Sequence, residues 1–443
     1  MKNYGIILAA GEGQRMKVQT NSCEYPILKK KMIHYVYHAM SEVSLDQLFV
    51  VIKNEESKIK EENLPRAQFI LQGEQHGVGS AIHSCLPWIQ EEGTTVICYG
   101  NNPLIRKEDI ESLYIHFQKH QADFAIAILD SFLKEKETDD TQVSLQEITK
   151  RSIGLFCVKN SELKEYGTFL LKKQKGETSW LPFVKELLNH QKKIITWTIS
   201  SEENYGGVHD FDSYSKVEKE LRMRINRMHM KNGVELIAPE TITIDPEVKI
   251  APGAHIYPNT ILSGKSEIAS STIIGPDTEI SDSIIGKGTK VLHSLVSSSV
   301  IGEETSIGPF AHIRDHSDIK NHVRIGNFVE IKNSVIDDDT KISHLTYVGD
   351  TDCGKGVNFG CGTVTVNYDG KYKHRTTIDD YVFIGCNTNL IAPIHVGKNA
   401  FIAAGSTLTD DVPAEAFSIA RERQVTKEDY AKRFPYYEKH KDK

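Results

Sequence analysis

From Ile244 to Leu408 aliphatic residues return every sixth position in four separate runs, a period that neither an α-helix nor an ordinary strand has. Ile244, Ile250 and Ile256 form one run, Ile268, Ile274 and Ile280 a second, and Ile301, Ile307, Ile313, Ile319, Ile325 and Ile331 a third. Ile384, Leu390, Val396, Ile402 and Leu408 close the series. Glycine often follows the anchor, as in Ile274-Gly275, Ile301-Gly302, Ile325-Gly326 and Ile384-Gly385. Such hexapeptide repeats predict a parallel β-helix, whose stacked coils each bury one rung of the ladder, running to about Val412. Residues 367–375 break the phase with a polar segment, which is expected to leave the ladder as a loop. Loops of this kind tend to carry function.

A chain of 443 residues exceeds one compact core, so more than one domain is expected. Short apolar runs at residues 5–9, 48–52, 69–71, 95–99 and 124–128 alternate with helical patterns. Strand, crossover, strand predicts a mostly parallel sheet flanked by helices, a Rossmann-like α/β domain over residues 1–212. Residues 213–233 read as a linker helix ending near Asn232-Gly233, which leaves 234–443 for the β-helix and a basic, aromatic tail.

The net charge of -7, with no extended basic run, argues against nucleic acid or an anionic membrane surface as the partner. No stretch approaches the ~20 apolar residues of a membrane span. Seven scattered cysteines without CxxC spacing point to a reducing cytoplasm rather than to disulfides or zinc.

Two groups of residues carry a family resemblance. Residues 8–16, Leu-Ala-Ala-Gly-Glu-Gly-Gln-Arg-Met, resemble the opening loop of sugar-phosphate nucleotidyltransferases. The segments 308–314, 326–332, 343–347 and 366–370 resemble the acetyltransferase half of bacterial bifunctional N-acetylglucosamine-1-phosphate uridyltransferase/glucosamine-1-phosphate acetyltransferases. That resemblance implies a nucleotidyltransferase-like first domain, a left-handed β-helix, and acetyl-CoA as co-substrate for an amino-sugar phosphate. It also implies a homotrimer in which three chains share each active site.

Acetyl transfer from a thioester to an amine needs a base, cations for the sugar phosphate, and donors for the developing oxyanion. By the resemblance His344 is the base and Glu330 orients it; an imidazole titrates near neutral pH, and a carboxylate partner fixes its tautomer. Arg314 and Lys332 are implied as the phosphate grip, with Tyr347, Asn358 and Lys373 completing the sugar site. Arg314 and Lys332 are one triangular coil apart, so the fold should stack them. Asn367 and Tyr368 match residues that meet the acetyl donor, while Cys386, Ala404 and Arg421 match positions lining the coenzyme A site. Cys386 stands where the family commonly has serine and is read as a small packing residue rather than a nucleophile.

For nucleotide, the Gly11-x-Gly13 turn and Arg15 are placed to meet phosphates, and Gln72 resembles the base-reading glutamine. The family's Mg²⁺ positions hold Asn101 and His209 here. Replacing the carboxylate of such a hard-ion site with an amide should weaken it severely. The family's Pro-Lys pair after the opening loop falls at Asn21-Ser22, or at Pro26-Ile27 if the gap is shifted, so no lysine appears either way, and a Gly-Tyr-Gly-Arg segment expected between Ile128 and Glu147 is missing. These departures predict an enzyme that keeps acetyl transfer and has lost uridylyl transfer, against the alternative of a fully bifunctional one. Asn367→Ala is expected to impair acetyl transfer without unfolding the protein; unchanged turnover in a thiol-release assay would remove the loop from the site.

Overall fold

The computed structural model describes residues 2–11, 16, 21–72, 77–129, 151–171, 181–199 and 206–440. The chain divides into two compact units, residues 1–227 with 244–246, and residues 228–243 with 247–443.

In the first unit seven strands form one sheet in the order Ala67–Leu71, Gln47–Ile52, Lys2–Leu8, Gly93–Tyr99, Ser152–Lys159, Phe124–Leu129, Ile194–Ile199. Five of these are the expected apolar runs: four are extended by a residue or more, and the first starts earlier, at Lys2, and stops short of Ala9. The strands Ser152–Lys159 and Ile194–Ile199 were not foreseen. Ser152–Lys159 pairs antiparallel with both its neighbours, while the other pairings are parallel. Parallel strands are covered on both faces and so read as unbroken apolar runs such as Leu48 to Ile52, all buried. Their carboxyl ends bring Leu8, Leu71 and Tyr99 to one edge, where open α/β sheets bind ligands.

The helix Phe211–Lys231 begins at Phe211 rather than Ser213. It stops where Gly233 takes φ 88° and the Val234 N–H returns to the His229 carbonyl, a C-terminal cap that needs no Cβ.

The second unit is the β-helix. Strands mostly of two or three residues stack in parallel register on three faces, and identical positions of successive coils lie above one another. Leu262, Ile280, Val296, Ile313, Ile331 and Val348 form one such column, every member buried. Among the expected anchors, Ile250 is the one left half-buried. Between Ile331 and Ile384 the ladder continues through Ile336, Ile342, Val348, Cys353, Phe359 and Thr365, all buried. The final strand, Phe417–Ser418, lies beyond the expected end at Val412.

At each corner the chain must turn without leaving a buried amide unpaired. Small hydroxyl residues solve this. The Ser299 N–H donates to Ser283 Oγ, that of Ser334 to Ser317 Oγ, and that of Thr351 to Ser334 Oγ. Residues 367–375 leave the ladder between the strands Val364–Val366 and Thr376–Ile378.

This loop is closed by its own carboxylate. Asp369 accepts from the Tyr372 and Lys371 N–H groups at 2.7 Å each and contacts His374 Nε2 at 2.7 Å. The Tyr372 amide, then His374 and the Lys371 amide, hold the Asp369 carboxyl down at about 2, against an ordinary 3.8. A carboxyl depressed by folding stabilises above its unfolded value and loses that contribution as the pH falls through the folded one. Protection of the Lys371 and Tyr372 amides, taken relative to their intrinsic exchange rates, is therefore expected to hold at pH 5 and to fall as the pH drops from 3.8 towards about 2. Asp369→Asn should abolish that pH step; a wild-type loop with no step in this window would refute the closure.

Candidate functional site

The β-helix register gathers the expected phosphate-binding residues. Arg314, on the strand His312–Arg314, stacks on Lys332 of the strand Arg324–Lys332, as the one-coil spacing requires. The next rung is Gly349. A Cβ at Gly349 would lie 2.4 Å from the Tyr347 hydroxyl oxygen and 2.7 Å from Asn367 Nδ2, so only glycine admits both side chains over this rung. The Asn367 amide donates to the Tyr347 hydroxyl at 3.4 Å. Lys332 Nζ lies 3.8 Å from Asp315 Oδ2, which also accepts from Arg314 Nη1 at 2.8 Å.

From the loop Lys373 reaches the same place. The adjoining Lys332 ammonium lowers the Lys373 amine from its ordinary value, against the opposing pull of Asp350. Two ammonium groups and a guanidinium thus converge on one spot of the surface. Such a cluster suits a phosphate dianion, with the lysines offering compact ammonium donors and Arg314, whose Nε, Nη1 and Nη2 are engaged by Glu330 and Asp315, adding its charge.

Glu330 does not orient His344 in this structure. Its carboxylate accepts from Arg314 Nε at 2.8 Å and Nη2 at 2.6 Å, and its register partner is Tyr347. His344 instead stacks on Asn327, with Nδ1 at 2.9 Å from Asn327 Oδ1. An amide oxygen can only accept, so Nδ1 carries the hydrogen and Nε2 presents its lone pair. Register explains the exchange of partners: Asn327 and His344 precede the corner formed by Phe328 and Leu345, both at positive φ, and Glu330 and Tyr347 follow it. Asn327 was missed because a single amide leaves no motif. Asn358 pairs with Lys341, on the His344 side of that corner and apart from Tyr347.

The expected coenzyme A positions form a second column. Gly405 N–H donates to the Cys386 carbonyl, a Cβ at Gly385 would lie 2.7 Å from Ala404 Cα, and one at Gly405 would lie 3.4 Å from Arg421 Cδ. Cys386, Ala404 and Arg421 are all exposed, so Cys386 is not the packing residue expected of it. It sits in the turn after the strand Phe383–Ile384, outside the inward-facing ladder that Ile384 continues. Tyr368 is 57% exposed, with its hydroxyl bound to the Gly370 carbonyl.

In the first unit Gly11 is exposed, and Gln72 donates to the Gly77 carbonyl at 2.7 Å. Gly13 and Arg15 lie outside the described residues, as does most of the segment between Ile128 and Glu147. Asn101 and His209 do come together: a Cβ at Gly207 would lie 3.6 Å from both Asn101 Oδ1 and His209 Cε1. The Asn101 amide donates to the Val208 carbonyl at 2.7 Å, and the Val208 N–H donates back to the Asn101 carbonyl at 2.9 Å. A carboxylate could not make the first of these bonds. One neutral oxygen and an imidazole do not fit Mg²⁺, which prefers carboxylate oxygen. Among the described residues no group of three or more His, Cys, Asp or Glu could hold a metal ion.

Residues 5–133 match the MobA-like NTP transferase domain family, and residues 275–355 match the GlmU-like C-terminal hexapeptide family. The three-faced coil is accordingly a left-handed parallel β-helix of hexapeptide repeats. The bifunctional protein GlmU of Acholeplasma laidlawii is 42% identical over 98% of this chain and 98% of its own length. That of Geobacillus sp. is 39% identical over 98% of each, and that of Carboxydothermus hydrogenoformans 39% identical over 97% of this chain and all of its own. With both domains matched and the likeness running the length of the chain, this protein belongs to the bifunctional GlmU family.

Proposed function

We propose that the β-helix transfers the acetyl group of acetyl-CoA to the amine of glucosamine 1-phosphate or a closely related amino-sugar phosphate. The convergence of Arg314, Lys332 and Lys373 beside Tyr347 and Asn367 carries this reading. The cations take the phosphate, and the sugar amine attacks the thioester carbonyl as the carbon–sulfur bond breaks and coenzyme A leaves as its thiol. His344, held in the Nδ1–H tautomer by Asn327, accepts the amine proton at Nε2 and returns it to the departing sulfur, which so leaves as the thiol. Cys386, Ala404, Arg421 and Tyr368 line the path of the coenzyme.

On one chain the apolar corner stands between His344 and the cation cluster. Phe310, Phe328 and Leu345 protrude there, 57%, 56% and 57% exposed, with the two phenyl rings stacked at 5.4 Å. A second copy covering this corner would complete the site, which supports a homotrimer whose chains share it. Among the described residues no helix is long and apolar enough to cross a membrane.

For the first unit, the loss of uridylyl transfer expected from residues 101 and 209 finds no support in the comparisons. The full-length likeness to bifunctional relatives favours the second reading, in which this unit also joins UTP to N-acetylglucosamine 1-phosphate. Nothing in the pair Asn101 and His209 supplies a carboxylate for the cation of that reaction.

Thiol release from acetyl-CoA is expected to require glucosamine 1-phosphate and to fall roughly 100- to 10,000-fold in His344→Ala, the range of general-base contributions. Undiminished release in that variant would overturn the assignment of the base. For the first unit, pyrophosphate release from UTP and N-acetylglucosamine 1-phosphate is expected above the no-enzyme rate, and Asn101→Asp should raise its Mg²⁺ dependence. Release equal to the no-enzyme control with Mg²⁺ and Mn²⁺ alike would refute the bifunctional reading.

A further inference from the structure

Asp350 plays no part in the chemistry described so far, yet it is the best-connected carboxylate near the cation cluster. It is 6% exposed and sits at a corner with φ 48°. Its Oδ2 accepts from the Asn367 amide and its Oδ1 from the Asn333 amide, each at 2.5 Å. Its own N–H donates to the Lys332 carbonyl at 3.0 Å, and its carbonyl accepts from the Thr376 N–H at 3.0 Å. Asn367 opens the inserted loop and Thr376 follows its end, so one residue ties down both feet of the loop and the backbone of Lys332. The His374 N–H, donating to the Asn367 carbonyl, passes the constraint along the loop that bears Lys373.

We infer that Asp350 is a positioning residue for acetyl transfer, holding Asn367 and the loop that carries Lys373 in register with Lys332 and Tyr347. This rests on the acetyl-transfer reading above. A carboxylate is required because two amide N–H₂ groups face it, one on each oxygen. An amide there accepts from only one of them and sets its own N–H₂ against the other, either the buried Asn367 or the exposed Asn333.

Polarity gives the test. In Asp350→Asn, kcat/KM for acetyl-CoA should fall on the order of 100-fold, the scale of a small misplacement at a reacting centre. Amide exchange at His374 and Thr376 should quicken. Adding Asn333→Asp restores an acceptor opposite the new N–H₂ and leaves the amide oxygen at position 350 free to accept from Asn367. That double variant should return to within roughly threefold of wild type and regain slow exchange. Wild-type kcat/KM in the single variant, or a double variant no better than the single, would overturn the inference. Should the wild type itself transfer no acetyl group, the functional reading fails separately. Exchange at His374 and Thr376 then decides the tether: quickened in Asp350→Asn and slowed again in the double variant it holds, and unchanged it falls.

Discussion

Everything in the second unit depends on one constraint, that identical positions of successive coils stack at strand spacing. Each buried Ile, Leu or Val of the column packs on its counterpart above and below, and the strand amides pair with the neighbouring coil. The same rule governs the outward-facing positions, where chemistry can be assembled by placing residues in a column. Arg314, Lys332 and Gly349 are such a column, and so are Asn327 and His344. The scaffold needs no special geometry for either, since the ladder that makes the core also fixes the separation of the functional groups.

What departs from the ladder is held by polar contacts. The inserted loop has no aliphatic anchor of its own, and its conformation comes from Asp369 within it, Asp350 beneath it and the bidentate pair of Arg375 with Asp352. Burial gives this region little, so its order is electrostatic and responds to protons as the core does not. The division of labour is physical: dispersion and apolar burial set the rungs, and charge-assisted hydrogen bonds set the one segment that leaves them.

Much of this was legible in the residues. Ile301 through Ile331 announce the coil because one residue type repeats, whereas Cys353, Phe359 and Thr365 serve the same purpose and conceal it, since a ladder asks for volume and burial rather than for isoleucine. The stacking of Arg314 on Lys332 followed from coil length alone. The partner of His344 did not, because a corner at Phe328 and Leu345 shifts which side chains meet, and only register reveals it. Asp350 was invisible for a similar reason: its role lies in contacts to residues 333, 367 and 376, none of which a local pattern links to it. In the first unit, the strands Ser152–Lys159 and Ile194–Ile199 complete the sheet from positions remote in sequence, one of them running against the rest.

The neighbouring ammonium groups of Lys332 and Lys373 give this surface a property of its own. Mutual repulsion makes one of the two amines easier to neutralise, and a dianion arriving between them would reverse that preference. Charge on this spot and a dianion's hold on it would therefore be linked in direction: a bound dianion favours the ammonium form of Lys373, and loss of that charge would weaken the hold.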